Sequence, residues 1–217
     1  MVSIQLKRDF ARKTREMGVF KDITKSPGGK GFRLKKHEKQ PDAPLSPFYL
    51  DYRLLQSDCD AKSMAARMFD QMIHGFFTSP DRLAAIPEAI VPVVSTLSDL
   101  TRIPMVTPRT TKGHGSGSKV DGLWEAGMTA ILIDDVVTGA DSKIEAQTTM
   151  QVAKFDVSIV MVLTDRQQGG EKQLQAAGLQ LVSAFTLDEL LTIYREERLI
   201  TSEVFDQIAS YRAAEAA

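Results

Sequence analysis

Cysteine is almost absent from this chain: Cys59 is the only one in 217 residues. That excludes an internal disulfide and any metal site built from a cysteine cluster. A dominant charge of one sign is also lacking. The formal net charge of -1 at pH 7 gives no general attraction to nucleic acid or to a membrane surface, so any anion-binding site has to be local. Long apolar runs are missing as well. None approaches the roughly 18 residues of a membrane-spanning helix. The opening segment MVSIQLKRDFARKTREMG is charged throughout and has no apolar signal-peptide core. The expectation is a cytoplasmic protein with neither nucleic acid nor membrane as partner. No internal repeat is present.

What remains is ample for a core. Hydrophobic residues make up 43% of the chain, enough for one α/β domain with a small subdomain. DFARKTREMGVF reads as an amphipathic helix with Phe10, Met17 and Phe20 on its apolar side. KSPGGKGFRLKKHEKQPDAPLS is loop-like, with a short strand at Gly31–Lys35, and PFYLDYR alternates as a strand does. AKSMAARMFDQMIHGFF spaces its apolar residues for a long helix. From Asp81 onward strands and helices alternate. RLAAI, IPMVT, MTAILID, DVSIVMVLTD and LQLVSAF read as strands, and IVPVVSTLSDL, SKIEAQTTMQVAKF, GEKQLQAAG, TLDELLTIYREER and SEVFDQIASYRAA as helices. Such alternation predicts right-handed crossovers and a parallel sheet. Ligands of such sheets bind beyond the carboxyl ends of the strands.

One of those ends carries an unusual group of residues. In ILIDDVVTGADSK, a strand buried on both faces runs into Asp134 and Asp135. The small or turn-forming residues Thr138, Gly139, Ala140 and Asp141 follow, where backbone amides can turn toward a ligand. Ser142 and Glu145 have capping-box spacing, which predicts a helix N-terminus at Ser142. Free N–H groups and the positive dipole end then form a phosphate cradle. Two carboxylates beside it cannot favour a bare phosphate. They fit sugar hydroxyls, or a Mg²⁺ ion carried with phosphates. The predicted ligand is a phosphorylated sugar.

This pattern resembles the phosphoribosyl pyrophosphate (PRPP) motif of type I phosphoribosyltransferases. RTTKGHGSGSKVDG resembles the flexible catalytic loop of the orotate phosphoribosyltransferases, with Lys112-Gly113-His114-Gly115 as its Lys-x-His-Gly core. SPFYLDYR (Ser46–Arg53), LTDRQQGG (Leu163–Gly170) and FTLDELL (Phe185–Leu191) resemble further segments of that family, in family order. The resemblance implies a single domain over 1–217 with the type I phosphoribosyltransferase fold. That fold is α/β, a mainly parallel five-stranded sheet flanked by helices, with a small N-terminal hood over about 1–55 and a core over about 56–217.

It also implies an enzyme, a pentosyltransferase of pyrimidine (UMP) biosynthesis that joins orotate to PRPP, giving orotidine 5′-monophosphate and pyrophosphate. Mg²⁺ would be the cofactor, met by Asp134 and Asp135 indirectly through PRPP. Lys112 and His114 would act on the pyrophosphate with Arg109 beside them. Asp134 and Asp135 would hold the ribose hydroxyls. Val136, Val137, Thr138, Gly139, Ala140, Asp141 and Ser142 would cradle the 5′-phosphate. Lys35, Tyr49, Thr138 and Arg166 would bind orotate, with Lys36 competing for the lysine role and strand packing as the other reading of Tyr49. The loop would serve a neighbouring subunit, implying a homodimer. Other readings within reach are a different base or a non-catalytic PRPP-binding regulator.

Three departures from the family pattern stand out. Pro108-Arg109 replaces the family's Arg-Lys at the start of the loop, KHEKQPDAPL is inserted after Lys35, and Glu88 occupies the segment Ala85–Pro92 expected to meet pyrophosphate. Outside the motifs, His74 reads as helix packing and His37 as solvated. Trp124 lies just after the loop, where it could report loop motion.

Overall fold

The computed structural model describes residues 2–34, 36–76, 79–109 and 119–216. The chain opens with helix α1 (Ile4–Glu16), started by Ser3, whose hydroxyl accepts the Leu6 amide. Its buried side is Phe10, Ala11 and Thr14. Phe20 lies beyond the helix, in strand β1 (Phe20–Asp22). A helical turn, α2 (Lys36–Lys39), and strand β2 (Phe48–Leu50) follow. β1 and β2 pair antiparallel, with Lys21 opposite Tyr49. The strand expected at Gly31–Lys35 reduces to one bridge between Phe32 and Ser46. The strand read in PFYLDYR stops at Leu50 and gives way to a 3-10 helix over Tyr52–Ser57.

The rest alternates as the sequence implies. In order come α3 (Cys59–Ile73), β3 (Arg82–Ala85), α4 (Val91–Thr101), β4 (Met105–Pro108) and β5 (Val120–Asp121). Then follow β6 (Thr129–Val137), α5 (Asp141–Val152), β7 (Asp156–Asp165), α6 (Gly170–Ala176), β8 (Gln180–Thr186), α7 (Leu187–Glu196) and α8 (Ser202–Ala216). Among the described residues the main sheet has six strands in the order β5-β4-β3-β6-β7-β8. The expectation was five. The added strand is β5, a two-residue edge pairing antiparallel with β4, while every other pairing is parallel. The α/β arrangement with a mainly parallel sheet is otherwise as expected.

The core lies on both faces of this sheet. Ile131 and Ile133 pack into a cluster with α1, α3, α4 and α7, whereas Ala130 and Leu132 pack on the opposite side with α5 and α6 residues such as Met150 and Leu174. A strand that alternates between two apolar layers needs apolar residues at every position, which is why β6 reads as a continuous run. The N-terminal segment shares the first layer. Phe10 stacks on Phe185 and Tyr52, and the Tyr52 hydroxyl meets Thr164 Oγ1 at 2.7 Å. α7 is fixed by a capping box between Thr186 and Glu189.

The strand order reverses direction between β3 and β6, since β4 lies to one side and β7 and β8 to the other. Doubly wound sheets open a crevice at such a point, at the carboxyl ends of the strands. Among the described residues no helix is long and apolar enough to cross a membrane.

Candidate active site

β6 runs further than the sequence implied. Asp134, Val136 and Val137 stay in register with Val162, Thr164 and Asp165 of β7. The paired acids therefore belong to the last residues of the strand and not to the loop beyond it. The Asp135 amide donates to Asp134 Oδ1 at 2.9 Å, and the Val136 amide to Asp135 Oδ1 at 2.7 Å. Lys143 supplies the cation, with Nζ 2.7 Å from Asp134 Oδ2 and 2.6 Å from the Val136 carbonyl oxygen. Burial and the adjacent Asp134 push the Asp135 carboxyl up to about 7, against the pull of Lys143.

The loop itself is short, Thr138 to Ala140. α5 begins at Asp141 with Ala140 at the N-cap, and no side chain caps it. The capping box expected of Ser142 and Glu145 does not form, because Ser142 already lies inside the first turn. The Ala140 amide donates instead to Gln173 Oε1 of α6 at 2.9 Å. Gly170 brings α6 against the loop: a Cβ there would lie 2.6 Å from Val137 Cγ2 and 2.9 Å from the Thr138 carbonyl oxygen.

A cavity of about 570 Å³ opens above these residues. Tyr49, Asp135, Val136, Thr138, Gly139, Asp141, Ser142 and Arg166, all singled out from sequence, line it. Arg33, Leu34, Leu50, Lys143 and Gln173 complete the wall. Val137 and Ala140 are buried just behind it, and so is Asp134, which does not line the cavity.

Arg166 follows β7, and its amide bonds the Val137 carbonyl at 3.0 Å. Its guanidinium is buried at 3% exposure, sits with Cζ 4.3 Å from the Phe48 ring centre and donates to Ser46 Oγ at 3.1 Å. Among the described residues its Nε has no hydrogen-bond partner. Burial draws this guanidinium down to about 10. Tyr49 stacks on Phe32 with ring centres 5.7 Å apart, and its hydroxyl accepts from Arg53 at 3.0 Å. The packing reading of Tyr49 is thus realised, and the ring also lines the cavity.

Lys35, Lys112 and His114 lie outside the described residues. Arg109 stands at the base of the loop with its guanidinium on Asp121, Nη2 to Oδ1 at 2.6 Å, across the β4–β5 pair. Glu88 is exposed in the turn before α4. His37 is buried, its ring nitrogens near the Leu34 amide at 2.8 Å and the Pro44 carbonyl at 3.3 Å, so the insertion folds around a histidine that the sequence reads as solvated. His74 caps the end of α3 with an exposed side chain held on Asp70, so it is not core packing. Trp124 donates to the Ala153 carbonyl at 3.2 Å and leans on Phe155.

Sequence reasoning missed Ser46 as a partner of Arg166, and also Gln173 and Lys143. Lys143 did leave a signal: a lysine in the first turn of a helix opposes the macrodipole and requires an acid nearby.

Comparison with known proteins bears on this geometry. No protein-family model matches the chain. The orotate phosphoribosyltransferase of Cenarchaeum symbiosum is 32% identical over 173 residues, spanning 75% of this chain and 83% of that protein. The chain belongs to the orotate phosphoribosyltransferase family. Uridine 5′-monophosphate synthase of Bos taurus is 29% identical over 167 residues, and the match covers 76% of this chain but only 35% of that longer protein. Among solved structures, UMP synthase of Leishmania donovani superposes with a TM-score of 0.80 at 23% identity, covering 94% of this chain and 41% of that one. The orotate phosphoribosyltransferase of Aeropyrum pernix gives 0.69 at 24% identity, covering 88% and 99%. At these identities the two structures establish the type I phosphoribosyltransferase fold and nothing finer. Within that family, the cavity above Asp135 and Thr138 occupies the position where the fold's crevice opens.

Proposed function

We propose that this chain transfers the 5-phosphoribosyl group of PRPP to orotate, releasing pyrophosphate and forming orotidine 5′-monophosphate. The observation that carries the reading is Arg166. It is a buried guanidinium lining the same cavity as the Asp135–Ser142 motif, and among the described residues its Nε has no acceptor. A buried donor left unpaired costs free energy unless a ligand meets it. A carboxylate meets a guanidinium by a planar fork, and orotate carries one where uracil does not.

In this reading Thr138–Ser142 receive the 5′-phosphate, and Asp135 accepts hydrogen bonds from the ribose hydroxyls. Breaking the bond from C1 of ribose to pyrophosphate builds positive charge on the sugar. Asp135 lines the cavity where it would oppose that charge, and Lys112 and His114, outside the described residues, would oppose the charge on the leaving group. Tyr49 would cover the base, and Lys35, outside the described residues, would be its lysine partner. A second copy of the chain would receive the loop, making a homodimer.

Among the described residues no three metal-ligating side chains converge. Asp135 on the cavity wall fits a hydrated ion held mainly by phosphate oxygens, and does not fit a resident metal cage. Mg²⁺ bound with PRPP would supply charge neutralisation of the phosphates, with the water around it held by Asp135.

The test is direct. The chain, mixed with PRPP, Mg²⁺ and orotate, should deplete the orotate absorbance and release pyrophosphate. Turnover of uracil, adenine or hypoxanthine with orotate untouched would overturn the base assignment. PRPP binding without turnover of any base would overturn the enzyme reading.

A further inference from the structure

Lys143 stands where helix electrostatics disfavour a cation. It lies in the first turn of α5, at the positive end of the helix, with its side chain 5% exposed. Its ammonium meets Asp134 Oδ2 at 2.7 Å, the Val136 carbonyl at 2.6 Å and Ser142 Oγ at 3.5 Å. One side chain thus ties the end of β6 to the start of α5 across the loop that turns between them. It also treats the two acids differently. Both oxygens of Asp134 are engaged inside the protein, Oδ2 by Lys143 and Oδ1 by the Asp135 amide at 2.9 Å. Asp135 engages Oδ1 on the Val136 amide and lines the cavity, which Asp134 does not.

From this geometry we infer that Lys143 is a positioning residue that divides the acid pair: it locks Asp134 into the wall between strand and helix, so that Asp135 alone of the two meets the ribose of PRPP. The inference rests on the phosphoribosyl reading of this cavity. Without a cation on Asp134, both carboxylates would repel the phosphates together. With Lys143 in place, Asp134 and the ammonium form a neutral buried pair, and the bond that the ammonium donates to the Val136 carbonyl fixes the backbone that leads into Thr138. Lys143 therefore acts through Asp134 and the loop, and touches no reacting atom.

The experiment compares Lys143→Met, Asp134→Asn, Asp135→Asn and the double variants of Lys143→Met with each aspartate change, all in the full chain. PRPP affinity is read by calorimetry, KM for PRPP and for orotate by steady-state kinetics, and folding by thermal melts. Removing one partner of a buried ion pair leaves the other uncompensated, so Lys143→Met should weaken PRPP binding by about tenfold or more. The KM for orotate should move by less than about twofold, because the side chains of Arg166 and Tyr49 bond to Ser46 and Arg53 and, among the described residues, share no partner with Lys143. The Asp134→Asn/Lys143→Met pair removes both buried charges. It should return PRPP affinity to within about threefold of the parent, whereas Asp135→Asn/Lys143→Met should stay weak.

The inference is overturned if folded Lys143→Met binds PRPP as the parent does, or if both double variants bind PRPP equally well. It is also overturned if both KM values rise together in step with a falling Tm, the mark of a merely structural role. Should Lys143→Met not fold, the two double variants decide by the same criterion. A parent chain that binds PRPP but ignores orotate refutes the base assignment and leaves this comparison standing on PRPP affinity. A parent that binds no PRPP refutes both.

Discussion

Arg166 lies over the ring of Phe48, its Cζ 4.3 Å from the ring centre. The contact joins two segments far apart in sequence, the turn after β7 and the strand β2. A flat guanidinium on an aromatic face keeps its edge free for a planar anion. Substituting Arg166→Lys keeps the charge but removes both the stack and the fork. Orotate kcat/KM should fall by about a hundredfold, equivalent to about 3 kcal/mol of lost charge-assisted hydrogen bonding. The KM for PRPP should stay near the parent value. Steady-state kinetics with each substrate varied in turn checks this. Equal losses for both substrates would contradict a role confined to the base.

Gly170 carries the second prediction. A methyl group at this position would lie 2.6 Å from Val137 Cγ2 and 2.9 Å from the Thr138 carbonyl oxygen. Neither neighbour can yield easily, because Val137 is fully buried and the Thr138 carbonyl belongs to the loop backbone. Overpacking of this kind costs about 1–3 kcal/mol. Gly170→Ala should therefore lower Tm and, by pushing Thr138 outward, raise the KM for PRPP more than that for orotate. A melt unchanged from the parent would show that α6 can shift away from β6 at little cost.

The parts of the fold legible in the sequence are those where local pattern and tertiary burial agree. β7 spans Asp156–Asp165, the limits of its apolar run, because strands buried on both faces have polar residues only at their ends. β6 was read as ending at Asp134, since paired acids look like a strand end. They remain in the ladder because Lys143 and two backbone amides satisfy them, and contacts from another element are invisible to a period. The N-terminal segment was least legible. β1 and β2 are three residues each, too short for alternation to register, and they are held by aromatic contacts such as Phe20 on Tyr194. The candidate site was legible at Asp135, Thr138 and Arg166 through a family pattern. Gln173 and Ser46 were not, because a single side-chain hydrogen bond across the fold leaves no spacing to read.

Asp135 gives a pH-dependent prediction for stability. Its carboxyl is pushed up to about 7 by burial and by Asp134, above the ordinary carboxylate value. Between the two values the folded chain holds a proton that the unfolded chain has released. By linkage, stability falls as pH rises through this window, and the loss is complete above about 7. Asp135→Asn removes the ionisation. The variant should gain Tm relative to the parent at pH 8 and gain much less at pH 5, where both carry a neutral side chain. Melts at the two pH values provide the check. The same variant should lose PRPP affinity, since an amide is a weaker acceptor for ribose hydroxyls, so stability and binding should move in opposite directions. A variant less stable than the parent at pH 8 would mean that the Val136 amide bond outweighs desolvation.

Asp141 presents the opposite conflict. It opens α5, where an acid is favoured by the helix dipole at about 0.3–1 kcal/mol. It also lines the cavity beside Thr138 and Ser142, where the 5′-phosphate is proposed to bind. A carboxylate there repels a phosphate, and over a partly exposed gap of about 4–6 Å the repulsion is worth about 1 kcal/mol at ordinary salt. Asp141→Asn keeps a side chain that can accept a helix amide while removing the charge. Its Tm should drop slightly, and its affinity for PRPP should rise by about three- to tenfold, with the gain shrinking as salt is added. Calorimetry with PRPP at low and high ionic strength separates the two contributions, because screening acts on the repulsion between charges and leaves the hydrogen bonds of the loop in place. Weaker binding by Asp141→Asn at both salt concentrations would mean that the carboxylate orders the loop, and that this ordering outweighs the charge it places beside the phosphate.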